Sequence, residues 1–217
     1  MKALNTYITE KLVLNKATFK NNYRYFPKTK EELKDIINTL LNERGPTTNL
    51  NDIDTSKVEN MSNLFFNNKN ITMIDISKWN VSNVEDMNNM FSGCISLKNI
   101  GDLSSWDVSN VTNMNSMFFD CKKLKHIDLS GWNTINVGNM RYMFFGCKNL
   151  KSTGDLSGWN VHKLRHAQYM FDWCENLTFI GDLSHWNINE KLFGKEGYFE
   201  MFNNCYKLYN IPKWYTD

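Results

Sequence analysis

The sequence predicts an α/β repeat solenoid. Coils of 26 to 27 residues stack on one another, with a parallel sheet on one side, short helical or 3₁₀ turns on the other, and a helical N-terminal cap. Three observations predict it. Tryptophans recur at Trp79, Trp106, Trp132, Trp159, Trp186 and Trp214, in steps of 27, 26, 27, 27 and 28 residues, and a period in this range marks stacked-repeat architectures. Phenylalanines of an M-x-x-M-F element fall at Phe91, Phe118 and Phe144, with relatives at Phe65, Phe171 and Phe202. All five cysteines, Cys94, Cys121, Cys147, Cys174 and Cys205, stand three residues after one of those phenylalanines.

Residues 1–46 differ in composition and read as a capping or docking region, with a helix over about residues 30–44. Thr29 followed by Glu32 is a capping box. Leu33, Ile36, Ile37, Leu40 and Leu41 form one apolar helical face, and Gly45 with Pro46 ends it. The helix is expected to cover the first coil, because the end of a stack otherwise exposes unpaired backbone groups and core side chains. The alternative is that residues 1–26, with Tyr7, Phe19, Tyr23, Tyr25 and Phe26, dock onto a larger assembly.

Residues 47–217 form the repeat region. The second copy reads D-I-S-K-W-N-V-S-N-V-E-D-M-N-N-M-F-S-G-C-I-S-L-K-N-I from Asp75, and the third inserts Gly101 before Asp102. One such unit alone buries too little, so neighbours must lie above and below it. The segment L-K-x-I-(G)-D-L-S alternates as a short strand does, and equivalent strands would pair in parallel about 4.8 Å apart. The segment V-x-x-M-x-x-M-F has apolar residues three apart, which suits helical or 3₁₀ turns opposite the sheet. Ser109 and Asn110 stand where N-caps would be. The first copy has Ile53 in the tryptophan slot and Asn68 in the cysteine slot, and the last breaks off after Ile211, Pro212 and Trp214, as terminal repeats do. The tryptophan-to-phenylalanine distance is 12 in four successive copies and 16 between Trp186 and Phe202. That insertion is expected to emerge as a loop.

Composition excludes several classes. At 217 residues, 41% of them hydrophobic and 14% aromatic, the chain has material for a packed core. Twenty-five Lys+Arg against 23 Asp+Glu give a net charge of +2, which is not the concentrated basic surface of a nucleic-acid binder. No apolar run approaches the roughly 18 residues of a membrane-spanning helix. The opening MKALNTYITEKLVLNK lacks the apolar stretch of a secretory signal. The expectation is therefore a cytoplasmic or particle-associated protein by default, with the cell surface as its place if a leader is removed. Three prolines and 11 glycines beside 32 asparagines assign the turns largely to Asn and Asp side chains.

The candidate chemistry is sparse. The cysteine column lacks C-x-x-C ligand sets and is expected to be a buried ladder of five reduced thiols. His162 and His166 are four apart but flank Lys163, Leu164 and Arg165, so no metal is assigned to them. Asp75, Asp102, Asp128, Asp155 and Asp182 form a column that either hydrogen-bonds its own turns or shares calcium, and the turn role is preferred. The tryptophans are assigned to packing, with sugar or base stacking as the other use. The positions that vary between copies carry more information. Met73, Asn99, His126, Ser152, Phe179 and Asn210 alternate with core positions on the predicted strand; Lys98, Lys125 and Lys151 form a basic row beside them. Lys78, Ser105, Gly131, Gly158, His185 and Lys213 precede the tryptophans. The candidate partner-binding residues are Lys98, Lys125, Lys151, His126, Phe179 and His185, with Phe193 and Phe199 from the insertion. No nucleophile with a neighbouring base, no phosphate loop and no carboxylate pair stands apart from the repeat, so neither an enzyme nor a cofactor is expected.

The stretches WNVSNVEDMNNMFSGCISLKNI at 79–100 and WDVSNVTNMNSMFFDCKKLKHI at 106–127 resemble the BspA-like leucine-rich-repeat family, specifically its 26-residue bacterial surface-protein repeat. The likeness covers roughly residues 51–214. It implies a leucine-rich-repeat-like solenoid and a role in adhesion to host proteins or other cells; similar repeats occur in mobile-element and phage-borne genes. The leading expectation is a non-catalytic protein-interaction or adhesion solenoid that binds a protein partner through its variable strand face. The alternatives are a structural subunit of a phage particle or cell-surface assembly, docked by the N-terminal region, and a carbohydrate-binding module using exposed tryptophans.

Overall fold

The computed structural model describes residues 23–186 and 197–216. Its first element is helix α1, Lys30–Arg44. Thr29 is extended and its hydroxyl accepts from the Glu32 amide at 3.2 Å, while the Glu32 carboxylate accepts from the Lys28 amide at 2.7 Å. One donor of the first turn and one just before the cap are thereby satisfied. Leu33, Ile36, Ile37 and Leu40 are buried. The helix stops at Gly45, whose φ of 83° is left-handed and whose N–H donates to the Leu41 carbonyl. Arg44 then ties the helix to the first copy: its two terminal nitrogens donate to the two oxygens of Asp52 at 3.0 and 2.7 Å, and one also reaches the Asn49 carbonyl at 2.7 Å.

Strands β1, Thr47–Asn49, and β2, Met73–Asp75, pair in parallel with Thr47 against Met73, Thr48 against Ile74 and Asn49 against Asp75. Further along, single parallel bridges join Met73 to Asn99, His126 to Ser152 and Ser152 to Phe179. The expected sheet is thus a row of short contacts. Among the described residues it is interrupted between Asn99 and His126, where Gly101 follows Asn99 and has no counterpart after His126. Each copy offers only one to three extended residues before side-chain turns take over, as when the Asn99 side chain accepts from the Gly101 amide at 2.7 Å.

The other side differs from expectation in kind. It is not helical. In the second copy the N–H groups of Met87, Asn89, Phe91 and Gly93 donate to the carbonyls of Asn113, Asn115, Met117 and Phe119 in the next copy, while Met90, Ser92 and Cys94 donate three residues back within their own copy. The same division recurs from Met61, Met114, Met140 and Ala167. A helix would keep all these donors inside its own segment; here every second one is directed to a neighbour. The backbone achieves this by turning left-handed twice per copy, at Asn63 and Asn67, Asn89 and Gly93, Ser116 and Asp120, Tyr142 and Gly146, and Tyr169 and Trp173. Parallel bridges run down this side through Asn60, Asp86, Asn113, Asn139 and His166. Ser109 and Asn110 cap no helix; the Asn110 side-chain Nδ2 donates instead to the Ser82 carbonyl of the preceding copy at 2.7 Å. The one 3₁₀ turn among the described residues, Leu156–Gly158, lies before Trp159 instead.

Between the two sides the core is made of columns. Phe65, Phe91, Phe118, Phe144, Phe171 and Phe202 stack with centroids 5.1 to 5.5 Å apart and planes within 9° of parallel. Trp106, Trp132, Trp159 and Trp186 stack at 6.2 to 6.3 Å. The indole N–H of Trp79, Trp106, Trp132 and Trp159 donates to the carbonyl of Leu50, Ile76, Leu103 and Leu129, each in the preceding copy; Trp186 has no such partner. Every cysteine is free and buried, and its thiol donates to the carbonyl of the column phenylalanine one copy back, from Cys94 to Phe65 through to Cys205 to Phe171, at 3.0 to 3.2 Å. Desolvation pushes Cys94 and Cys205 up to about 12 and raises Cys121, Cys147 and Cys174 as well. The far end is closed by helix α2, Lys213–Thr216, from which Tyr215 packs edge-on against Phe202 and Tyr198. Among the described residues no helix is long and apolar enough to cross a membrane.

Two outcomes are expected. Phe118→Ala, which removes a ring stacked on both faces, should lower unfolding free energy by about 3–5 kcal/mol in a urea titration. A thiol-reactive chromophore at about pH 8 should label essentially no cysteine in the folded protein and all five after denaturation, since buried, protonated thiols are poor nucleophiles.

Candidate functional site

The bridges gather the variable strand positions into rows. Met73 and Asn99 are adjacent at one end, and His126, Ser152 and Phe179 at the other, with Met73 44% and Phe179 47% exposed. These are large apolar side chains, each flanked by core residues such as Ile74 and Ile180 that point the other way. Beside them the Lys151 N–H donates to the Lys125 carbonyl, and the Lys98 N–H to that of Thr72. Lys98, Lys125, Lys151 and His126 are all exposed. The predicted rows therefore lie on one face, in two groups separated by the missing bridge. His185 is exposed but stands next to Trp186, outside the bridged row. Phe199 is 50% exposed and belongs to the turn side. Phe193 lies outside the described residues.

At the cap-proximal end of the face a cleft of about 440 Å³ is lined by Thr47, Asn49, Met73, Asp75, Asn99 and Asp102 among others. Its carboxylates are already engaged, while the buried Thr48 hydroxyl has no hydrogen-bond partner. The Asp75 carboxylate accepts from the Asn49 side chain at 2.8 Å and from the amide and hydroxyl of Ser77 at 3.1 and 2.7 Å. Burial alone would raise Asp75, and the Ser77 bonds reverse that, leaving it below the usual carboxylate range. The whole aspartate column repeats this turn, with Asp102, Asp128, Asp155 and Asp182 accepting from the serine amide two residues on at 2.9 to 3.0 Å. The same bonds from backbone and hydroxyl hold Asp102, Asp155 and Asp182 below the usual range. Among the described residues no group of three or more His, Cys, Asp or Glu side chains could hold a metal ion. His162 and His166 share no helix, because the segment is a turn whose His162 amide is taken by the Asn160 side chain.

The tryptophans bear out the packing assignment and leave their other use without an open ring. Trp79, Trp106, Trp132, Trp159 and Trp186 are at most 3% exposed and lie in the core, so this column cannot stack sugars. The physical reason is the column itself: the rings cover one another and their indole N–H groups point along the stack. The sequence reading also missed an aromatic surface on the turn side. There Phe119 stacks on Phe145 at 5.0 Å and Tyr142 on Tyr169 at 4.9 Å, edge contacts join the two pairs, and Phe199 meets Tyr169 edge-on. A signal was present. These aromatics occupy outward positions of M-x-x-M-F-x-x-C that hold Asn88, Asn89 and Ser92 in the second copy.

The chain matches, at residues 34–152 and 97–214, the family described as "Mycoplasma protein of unknown function, DUF285", and it belongs to that family. No curated protein matches it. Among solved structures, a leucine-rich repeat protein of T. pallidum aligns with 70% of this chain and 72% of its own, at 16% identity and a TM-score of 0.39.

The aspartate turns set a pH dependence. Folded-state values below the unfolded ones mean that these bonds stabilise the fold above the usual aspartate range, and that the contribution disappears as pH falls through it. The melting temperature should drop between about pH 5 and about pH 3. The triple variant Asp102→Asn, Asp155→Asn, Asp182→Asn keeps the accepting oxygen, as Asn80 does for Ser82, and should show a smaller drop in differential scanning calorimetry.

Proposed function

We propose that this family member is a non-catalytic protein-interaction module, a leucine-rich-repeat-like solenoid that binds a protein partner through its strand face. One observation carries the reading: the residues that differ from copy to copy on the strand side form exposed rows, while those that recur are in the core or in turn bonds. A stack needs the recurrent residues to hold together; it does not need Met73, His126 or Phe179 in those places. Rigid repeats that present variable side chains on one face are suited to reading an extended protein surface. Phe179 and Met73 supply apolar anchors, and Lys98, Lys125 and Lys151 supply positive charge beside them, so the partner is expected to offer an apolar contact bordered by carboxylates. The adhesion role carried by the BspA-like resemblance is one form of this reading, in which the partner belongs to another cell or a host.

The test is affinity capture with the full chain on beads, from extracts of the source organism and of cells it meets, with mass spectrometry of what is retained. A control is the variant Lys98→Glu, Lys125→Glu, Phe179→Ser. The three substitutions are at exposed positions, so the circular dichroism spectrum and melting temperature should stay close to those of the parent. A protein retained by the parent and lost from the variant supports the strand face. Equal retention by both sinks it.

A further inference from the structure

The aromatic surface on the turn side joins successive copies ring to ring, yet its rings stand at positions that other copies fill without aromatics. In the second copy the outward turn positions are Asn88, Asn89, Ser92 and Gly93; in the fourth and fifth they include Arg141, Tyr142, Phe145, Tyr169 and Trp173, joined by Phe119 before and Phe199 after. Phe199 and Trp173 are 50% and 39% exposed. A second observation is independent of exposure. Tyr142, Tyr169 and Trp173 have φ of 57°, 58° and 60°, at positions where other copies use Asn67, Asn89 or Gly93. A bulky side chain in the left-handed region costs about 1–3 kcal/mol. Asparagine or glycine would build the same turn without that cost, so the turn itself does not call for these rings.

The geometry bears on what covers them. The faces of Phe119 and Phe145, and of Tyr142 and Tyr169, are occupied by each other, which leaves edges rather than faces outward and disfavours sugars or bases that stack on open rings. Edges spaced 4.9 to 5.0 Å apart are met over several rings at once only by a surface with the same pitch, and ring edges pack well against other aromatic rings. Charge is distributed to match. Arg141, one copy before Tyr169, lies over the Tyr142 ring at 4.8 Å, and Glu200 is one copy after. The Tyr169 phenol is raised by desolvation first and then by Glu200 and Tyr142, with Arg141 opposing, so both charges are within electrostatic reach of it.

We propose that the turn face of the fourth to sixth copies is a self-association surface, covered by a second copy of this chain about a two-fold axis at Tyr169. The axis carries the copy before Tyr169 in one chain onto the copy after it in the other, so Arg141 of each chain meets Glu200 of its partner twice over. The strand face remains free in the dimer.

Sedimentation equilibrium of the full chain tests this. The parent should be a dimer. Tyr169→Asn removes the central ring and relieves the left-handed strain, so it should shift the protein to monomer while its melting temperature holds or rises, which separates loss of the interface from loss of the fold. Arg141→Glu and Glu200→Arg should each weaken dimerisation by about tenfold or more, and the double variant should regain it. A parent that stays monomeric at about 100 μM, a Tyr169→Asn dimer as tight as the parent's, or a double variant no tighter than the singles would each overturn the proposal; the monomeric parent would leave the rings to a different protein.

Discussion

The fold depends on a division of backbone donors. On the turn side, alternate N–H groups leave the copy that carries them and bond the next one, and those in between close short turns at home. The division fixes the pitch, forbids a helix and dictates that two residues per copy turn left-handed. With the pitch set, identical side chains are placed above one another, so the phenylalanine, tryptophan and cysteine columns are consequences of it. Each column then contributes its own cross-copy contact: ring on ring, indole N–H to carbonyl, thiol to carbonyl. Because the donors, the rings and the thiols all reach to an immediate neighbour, cohesion is local and cumulative.

The columns were legible in the sequence because a stacked position demands the same side chain in each copy, and a period is visible without any structural knowledge. Helix α1 was legible because its chemistry is local: Thr29 and Glu32 at one end, Gly45 and Pro46 at the other. The turn side was not. Apolar residues three apart fit a helix, and they fit equally a chain of tight turns whose Met and Phe residues face inward. What separates the two is the residue at the left-handed positions, and Asn67, Asn89, Gly93 and Gly146 stated it plainly. The length of the sheet was also hidden, since Asn99 is β-compatible by pattern, yet its side chain takes the Gly101 amide and starts a turn.

The candidate surfaces were unequally readable for a related reason. The strand face could be found by asking which columns fail to repeat, and Met73, His126 and Phe179 are exposed there. On the turn face the outward positions are less legible. Their aromatics contradict the turn chemistry of their own copies, and Tyr142, Tyr169 and Trp173 become conspicuous only once φ is known. A residue that violates the local rule of an otherwise regular repeat is informative, because the remaining copies supply the control.

One feature of the stack reaches beyond the single molecule. A chain in which each unit of 26 or 27 residues touches only the units on either side can gain or lose one internal unit without disturbing any other contact, provided that α1 and the closing aromatics stay at the ends. Units that share a motif are encoded by related stretches of nucleic acid, and related stretches can misalign when strands recombine. The length of the strand face is therefore a quantity that inheritance can adjust in whole steps of about 4.8 Å, and relatives of this protein would differ in reach more readily than in architecture.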